Sequence, residues 1–230
     1  MKRALPLLAA LLLTLTACDS SQKCIDNVNA DGDQFDACDP AKPVNEQIFS
    51  FNLFADRWVI GPVAHTYHYL PDEVRGGIDN VLGNLGEPMS ATNSLLQGDM
   101  QSFGTTLFRF LLNSTFGFAG IRDFAGENGL KQHEQHFNDT LASYGVNDGA
   151  YVVLPIFGPS SVRDTTGKVV DWFLDPVDLF TNTNEQITIG VMNGIDTRDG
   201  LDPMVQQLYY DSLDPYAAVR AASIQHQIPE

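Results

Sequence analysis

Apolar side chains recur every three to four residues along most of this chain, the spacing typical of helices that bury one face. The periodicity predicts an all-α fold built from seven helical segments: 45–60, 72–87, 99–116, 132–144, 161–173, 183–210 and 215–228. The segment 45–60 has more apolar positions than a narrow stripe needs, so we expect it to be deeply buried or partly in lipid. The segment 72–87 is the clearest amphipathic helix of the chain.

Glycine and proline residues predict where several of these helices end. Gly61-Pro62 and Glu87-Pro88 are each expected to stop the preceding helix, because proline lacks the amide hydrogen that an interior turn requires. Gly145 is expected to adopt a left-handed conformation as the C-cap of the segment before it.

Three stretches depart from the helical pattern. Residues 116–129 are rich in glycine and predict a corner. Residues 150–157 form a strand-like apolar run with no partner of similar character, so an isolated buried segment is expected. Residues 158–161, Gly-Pro-Ser-Ser, predict a turn that leads into a helix N-cap at Ser161.

The beginning of the chain is typical of a secretory signal that ends in a lipidation site. Lys2-Arg3 precede an apolar stretch over 4–15, and Leu15-Thr16-Ala17-Cys18 matches a lipobox. We therefore expect Cys18 to become the lipidated first residue of a bacterial lipoprotein. An ordinary signal peptide with a coincidental cysteine is the alternative.

This interpretation divides the chain into a signal peptide over 1–17, an acidic lipidated tether over 18–43 and one helical domain over 44–230. After the signal, no apolar run approaches the ~20 residues of a membrane-spanning helix. We expect that the mature chain does not cross the bilayer as a helix.

Net charge limits the partners of the mature chain. The whole sequence carries a formal charge of −16, and without Lys2 and Arg3 it has eleven Lys+Arg against twenty-nine Asp+Glu, or −18. Such a surface repels phosphate, so nucleic acid is not an expected partner and electrostatic adhesion to anionic lipid is not expected either. Contact with a membrane must come from the lipid anchor and from apolar area.

The tether contains a second candidate chemistry. Cys24 and Cys38 are left as a possible disulfide pair in an oxidising compartment. Oxygen-bearing side chains alternate around a glycine between them, as a Ca²⁺ loop requires, and the candidate ligands are Asn29, Asp31, Asp33 and Asp36. The simpler alternative is an acidic flexible tether without metal, and no other cofactor is expected.

The residues required for catalysis are not assembled in any recognisable pattern. No Gly-x-Ser-x-Gly elbow occurs, and Ser160 follows a proline in what looks like a capping turn. His133 and His136 are spaced by three residues, whereas a helical zinc motif spaces its histidines by four. The chain is therefore expected not to be an enzyme and to bind or handle lipid instead.

An ordered series of short motifs extends over about 175 residues. They are Asp39-Pro40, Asn45, Phe51-Asn52, Pro71, Asn84-Leu85, Glu87-Pro88, Leu96-Gln97-Gly98, Arg109-Phe110, Asn113-Ser114-Thr115, Asp123, Tyr144-Gly145-Val146, Gly149-Ala150-Tyr151-Val152, Leu154-Pro155, Gly158-Pro159-Ser160, Arg163-Asp164 and Asp214-Pro215-Tyr216. In their order and spacing the chain resembles the MlaA/VacJ lipoproteins.

This resemblance implies a ring-like arrangement of amphipathic helices in the periplasmic leaflet of the outer membrane, with a central amphipathic channel. It implies that phospholipids misplaced in the outer leaflet pass through the channel to a periplasmic carrier, that a trimeric porin holds the ring, and that no reaction is catalysed. Asp19, directly after the anchor, would favour the inner membrane in enteric bacteria, but the resemblance implies the outer membrane. A lipid or peptidoglycan hydrolase and a structural lipoprotein that moves no lipid remain the alternatives.

Four residues are singled out as candidate sites. By resemblance, Asn52 and Leu53 match a stretch that keeps the channel in its working state, although they could equally be packing residues. Arg109 and Arg163 are candidate phosphate contacts because a guanidinium suits that role. Pairing of these arginines with nearby carboxylates is the alternative.

Overall fold

The computed structural model describes residues 39–227, of which 72% are helical; one two-stranded sheet, turns and loops make up the rest. In chain order the helices are α1 (Lys42–Ala55), α2 (Gly61–His68), α3 (Asp72–Leu96), α4 (Met100–Thr115), α5 (Phe124–Glu127), α6 (Phe137–Ser143), α7 (Val162–Leu174), α8 (Thr183–Gly200), α9 (Asp202–Val205) and α10 (Pro215–Gln227). The strands are β1 (Tyr151–Leu154) and β2 (Gly158–Ser161). The predicted all-α class is confirmed. Over the described residues, no helix has both the length and the apolarity needed to span a membrane.

The described residues form two compact units. The first, here called the hairpin unit, comprises 39–59, 141–170 and 201–227. The second, here called the long-helix unit, comprises 60–140 and 171–200.

The core of the hairpin unit is aromatic. Phe49 of α1 packs edge-to-face against Tyr209 and Tyr216, with ring centroids 5.4 and 5.6 Å apart. Tyr151 and Val153 of β1 and Val219 of α10 complete the buried cluster. This core joins the first helix, the hairpin and the last helix, whose residues are far apart in the sequence.

Strands β1 and β2 pair antiparallel in the hairpin unit, from Tyr151 opposite Ser161 to Leu154 opposite Gly158. The expectation of an isolated segment at 150–157 is therefore wrong. The partner strand was missed because it contains Pro159 and two serines, which do not form an apolar alternating pattern. Ile156 and Gly158 take positive φ angles of 71° and 78°, which closes the tight connection between the strands.

The start of α7 follows the sequence prediction. Ser161 Oγ accepts a hydrogen bond of 3.0 Å from the Asp164 amide, which makes Ser161 the N-cap. The predicted cap is therefore confirmed, but the predicted turn is wrong, because residues 158–161 pair with β1 as strand β2 and pass directly into α7.

Two predicted helix ends are wrong, because the chain continues through the proline in both cases. Helix α3 contains Pro88 in its interior and extends to Leu96, and its buried face continues past the proline. That burial offsets the roughly 3 kcal/mol cost of an interior proline. Helix α1 passes through a π-helical turn, Asp56–Ile60, into α2, where Pro62 lies in the first turn and needs no amide hydrogen.

Other helix boundaries differ in detail. The segment predicted at 132–144 is helical only over α6, although Gly145 after it has the expected left-handed φ of 82°. The segment predicted at 183–210 is divided into α8, α9 and a π-helical turn, Gln206–Tyr210. The predicted start at Asp99 is confirmed, because its side chain accepts from the amides of Gln101 and Ser102.

Gly117 lies at the predicted corner and has no room for a side chain. A Cβ there would approach the Arg122 carbonyl oxygen and lie 2.5 Å from the Asn113 carbonyl oxygen. We expect Gly117→Ala to lower the free energy of unfolding by about 1–3 kcal/mol, since backbone must move to admit the methyl group. The matched control is Gly104→Ala in α4, where nothing lies within 4 Å, and where alanine should stabilise the helix by about 0.5–1 kcal/mol. Equal effects of the two changes in urea unfolding would contradict this interpretation.

Candidate functional site

Helix α4 of the long-helix unit has its polar side chains inside and its apolar side chains outside. Thr106, Arg109 and Asn113 are buried on one face. The opposite face exposes large apolar side chains, namely Met100, Leu107, Phe108 and Leu111. This is the reverse of a helix that packs a water-soluble core.

Helix α1 of the hairpin unit shows the same reversal. Asn45 and Asn52 are buried on the face that also carries Phe49. Phe51 and Phe54 are exposed, and the following π-helical turn exposes Trp58 at 68%. The broad apolar character predicted for 45–60 therefore lies largely on the outside.

The buried positions as a whole follow this pattern. Among the described residues, seventeen buried side chains are polar or charged and twelve are apolar. A polar interior requires internal hydrogen bonds, and an apolar exterior is stable where the surroundings are apolar. These exposed faces are the candidate lipid-contacting surfaces of the protein.

A buried ion cluster in the long-helix unit holds α3 and α4 together. Arg109 Nε donates to Glu87 Oε1 over 2.7 Å, and its guanidinium also pairs with Asp123 over 3.1 Å and donates to the Leu130 carbonyl. The side chains of Arg109 and Glu87 are only 2% and 1% exposed. Burial raises the pKa of the Glu87 carboxyl, and the adjacent guanidinium opposes that rise.

The third member of the cluster behaves differently. Burial raises the pKa of Asp123, but the Gly126 amide, Asn113 and Arg109 all donate to this carboxylate and lower the pKa overall. Asp123 also caps α5 through the Gly126 amide. Arg109 thus has two carboxylate partners, which is the pairing alternative left open by the sequence, and contact with a phosphate stays a prediction.

Arg163 is also held by protein groups, in the hairpin unit. Its guanidinium forms an ion pair with Asp148 and donates to the Val146 carbonyl over 3.0 Å. Burial raises the pKa of Asp148, and Arg163 opposes the rise. A phosphate would have to displace or extend this pairing, so the phosphate role of Arg163 likewise stays a prediction.

Two asparagines of α1 hold the first strand of the hairpin through its backbone. Asn45 donates to the Tyr151 carbonyl over 3.2 Å and accepts from the Val153 amide over 3.0 Å. Asn52 makes the same pair of contacts at the other end of β1. It donates to the Leu154 carbonyl over 2.8 Å and accepts from the Ile156 amide over 2.7 Å.

The two asparagines are seven residues apart and so lie on one face of the helix. We name this arrangement the asparagine clamp, formed by Asn45 and Asn52. Leu53 lies beside it and is half-buried. The clamp was not predicted from the sequence, although two buried amides in an apolar helix are a usable signal, because buried amides need partners.

The first and last motifs of the resemblance meet in the hairpin unit. Asp39 accepts hydrogen bonds from Asn45 over 2.7 Å, from the Tyr216 hydroxyl and from Arg220 over 3.4 Å. Burial and the Asp39 carboxylate together raise the pKa of Tyr216. A second tyrosine bond, from Tyr210 to Asp56 over 2.7 Å, fastens the end of α1 to the chain after α9.

The residues considered for catalysis have structural partners. Ser161 is the α7 cap, and Ser160 Oγ lies 3.3 Å from Thr165 Oγ1. His136 pairs with Asp171 over 3.5 Å, which raises the pKa of this histidine. Within residues 39–227, no cluster of His, Cys, Asp or Glu has the geometry of a metal site.

The lipidation, disulfide and calcium predictions lie outside the described residues. They concern Cys18, the Cys24–Cys38 pair and the candidate ligands Asn29, Asp31, Asp33 and Asp36. They stay predictions from the sequence.

Comparison with known proteins is consistent with this architecture. Residues 37–229 match the family described as MlaA lipoprotein. The intermembrane phospholipid transport system lipoprotein MlaA of Escherichia coli is 36% identical over 201 residues, covering 84% of this chain and 78% of that protein. An uncharacterized protein of Rickettsia bellii is 33% identical over 186 residues, covering 80% and 73% of the two chains.

A solved structure described as "Structural basis for maintenance of bacterial outer membrane lipid asymmetry" has the same fold. Its TM-score is 0.72 at 34% identity, covering 82% of this chain and 96% of that chain. The family match spans all of the described residues. The chain therefore belongs to the MlaA lipoprotein family.

Proposed function

We propose that this protein is an outer-membrane lipoprotein that removes mislocalised phospholipids from the outer leaflet and passes them to a periplasmic carrier. In this proposal lipid moves through the amphipathic channel implied by the family, a trimeric porin holds the protein in place, and no reaction is catalysed. The names of related lipoproteins support phospholipid transport between membranes. The described solved structure concerns outer-membrane lipid asymmetry.

The single observation that carries the proposal is the reversed polarity of α4 and α1. Their exposed apolar faces would be unfavourable in water and are stabilised among acyl chains at about 25 cal/mol per Å² of apolar area. The buried amides of Asn52 and Asn113 and the Arg109 guanidinium of these helices are hydrogen-bonded within the protein. A polar interior with an apolar exterior suits a protein that lies in one leaflet and guides a polar headgroup.

Charge supports the same placement. The chain is strongly acidic, so anionic headgroups do not accumulate on its water-facing surface. If anionic headgroups adhered to the protein surface, lipid would be released to the carrier more slowly. An acidic surface prevents this adhesion.

The proposal gives the asparagine clamp a role in gating. Asn52 and Leu53 lie where α1 meets the connection between β1 and β2, which exposes Ile156 and Phe157. We propose that the clamp sets the position of this apolar tip and thereby keeps the lipid route in its working state.

Transfer of lipid between vesicles is the direct test. The lipidated chain is reconstituted with a trimeric porin in donor vesicles, and a fluorescent phospholipid is followed as a soluble carrier takes it up. Uptake that depends on the chain supports transport. Normal assembly with the porin but no uptake would instead support the structural alternative.

The hydrolase alternative has a separate test. Its best nucleophiles are Ser160 and Ser161, so phospholipid should stay chemically intact during incubation with the wild-type chain. Release of fatty acid that disappears in a Ser160→Ala/Ser161→Ala variant would contradict the proposal.

Native tryptophans report whether the exposed surface contacts lipid. In a Trp172→Phe variant, we expect phospholipids brominated along their acyl chains to quench most of the Trp58 fluorescence, because Trp58 lies among exposed apolar residues of the α1 end. Iodide in the water phase should quench it weakly. The Trp58→Phe variant leaves Trp172 as the tryptophan that fluoresces. It is the matched control, because it shows how quenching depends on the position of the tryptophan in the protein. Strong quenching of Trp58 by iodide but not by brominated lipid would contradict a lipid-facing α1.

A further inference from the structure

An apolar groove lies between α3 and α8 in the long-helix unit. Its volume is about 540 Å³, within the range of roughly 300–1,000 Å³ typical of small-molecule sites. The α3 wall extends from Glu73 to Leu85, and Ile189 and Met192 of α8 form the opposite wall.

The lining is almost entirely aliphatic. Apart from backbone, Glu73 and Thr188 supply the polar side chains among the lining residues. Glu73 belongs to the first turn of α3 and so marks one end of the groove, while Val81, Leu82 and Leu85 mark the other end. The groove is therefore apolar along its length and has one carboxylate, that of Glu73, at one end.

Helix α8 is attached by its polar end and is incompletely packed along the groove. Near its C-terminus, Asp196 accepts from the Tyr67 hydroxyl over 2.6 Å, and Asp199 accepts from Arg75 over 2.7 Å. No residue of α8 is buried, even though Ile189 and Met192 face the groove. An apolar ligand would complete packing that the protein itself leaves unfinished.

We propose that this groove binds one acyl chain of a bilayer phospholipid whose headgroup carries an ammonium group. This inference rests on the proposed transport function and names a lipid subsite within it. From Val74 to Leu85 the groove follows eleven residues of helix, or about 16 Å, which suits an extended acyl chain.

In this proposal the headgroup lies at the Glu73 end of the groove, where the carboxylate discriminates between amphiphiles. It attracts an ammonium headgroup and repels the carboxylate of a free fatty acid. The apolar walls offer no partner for a phosphate, so the headgroup stays at the mouth while the tail occupies the groove.

Photo-crosslinking of a defined lipid tests the proposal. The probe is a phosphatidylethanolamine with a diazirine near the end of one acyl chain, in vesicles of phosphatidylethanolamine and phosphatidylglycerol that contain the full lipidated chain. Mass spectrometry should place crosslinks on groove residues such as Leu82 and Ile189. The mass of the adduct distinguishes the labelled bilayer lipid from the unlabelled anchor of the chain itself.

Adjacent glycines provide a matched pair of variants. Gly77 lines the groove, and a Cβ there is in ordinary van der Waals contact with Ile121 at 3.5 Å, so Gly77→Phe is designed to place a ring in the groove. Gly76 has nothing within 4 Å and does not line the groove, so Gly76→Phe controls for the change in helix propensity. We expect crosslinking to fall at least about tenfold in Gly77→Phe and to stay near the wild-type value in Gly76→Phe.

A second pair repeats the test from the opposite wall. Met192→Trp fills the groove from α8, and Val191→Trp places the same side chain at an exposed neighbouring position. Equal thermal unfolding of the paired variants shows that both fold. The same loss in Met192→Trp supports the groove, whereas equal crosslinking within both folded pairs would overturn the proposal.

Two further outcomes separate this inference from the proposed function. If wild-type chain transfers lipid but gives no groove crosslinks, the groove proposal fails and transport stands. If the groove is labelled but no lipid is transferred, the acyl site is supported and transport fails. Labelling by a diazirine fatty acid as strong as that by the phospholipid would overturn the assigned headgroup preference.

Discussion

Replacing Arg109 with methionine is expected to lower the free energy of unfolding by about 3–5 kcal/mol, because it leaves Glu87 buried without its guanidinium. The two side chains are nearly inaccessible and only 2.7 Å apart, so water cannot replace the lost partner. Urea unfolding of the protein in detergent micelles measures the effect.

The loss in Arg109→Met should also depend on pH. Burial already raises the pKa of Glu87, and removing the guanidinium that opposes this rise raises it further. A carboxyl with a raised folded pKa stabilises the fold fully below its unfolded pKa, and this contribution is lost as pH rises through the folded pKa. The variant should therefore be less destabilised at about pH 5 than at about pH 8.

Two controls separate the buried charge from the change in volume. Arg109→Met combined with Glu87→Met should recover most of the lost stability, since two apolar side chains need no partner. Arg122→Met, which breaks the exposed pair of Arg122 with Glu127, should have little effect. A double variant as unstable as the single one, or a loss independent of pH, would contradict this account of the cluster.

Deleting Asn52 and Leu53 is expected to perturb gating and weaken the outer-membrane barrier. Removing two residues turns the rest of the helix by about 200° relative to its beginning. Asn45 would still hold the Tyr151 end of the hairpin, but the second half of the asparagine clamp would be gone and Asp56 would face away from Tyr210. The apolar tip of the hairpin would lose its fixed position.

The weakening of the barrier is measured as the sensitivity of cells to a detergent combined with a chelator. Cells that carry the deletion should plate several orders of magnitude less efficiently than wild type, at equal protein abundance. Normal detergent resistance in the deletion strain would contradict a gating role for these residues.

The deletion removes two side chains and also rotates the rest of the helix, so point variants are needed to separate these effects. Asn52→Ala leaves the Leu154 carbonyl and the Ile156 amide without this partner and should lower the free energy of unfolding by about 1–3 kcal/mol. Ser50→Ala is the matched control, because Ser50 donates only to the exposed Glu46 carbonyl one turn away. If Asn52→Ala lowers stability but leaves both barrier and lipid transfer intact, Asn52 is a packing residue.

Local rules predicted the parts of this protein that depend on near neighbours. Asp99 was predicted as a helix start and Ser161 as a helix cap, and each side chain accepts hydrogen bonds from amides of the following helix. Gly145 takes the left-handed conformation expected after a helix end. Helical periodicity and the ordered motifs determined the fold class and the family, since both are written in short stretches of sequence.

Where local rules failed, contacts between residues that are distant in the sequence determined the structure. Pro88 does not end α3, because burial of residues on both sides of it outweighs its local cost. Strand β2 has no strand-like sequence, and it exists because β1 supplies its hydrogen-bond partners. Asn45 and Asn52 find their partners about a hundred residues away, and this pairing has no trace in the spacing of either region.

The sequence by itself determined that broad apolar faces lie on helices of a lipoprotein of this family. Only the tertiary structure decided which face points inward, because the same 3.6-residue period describes a helix with an apolar core in water and one with an apolar exterior in lipid. In α4 the buried face is the one that carries Arg109, since Glu87 and Asp123 are positioned to pair with it. The direction of a helix face is set by its partners in space, and those partners are not adjacent in the chain.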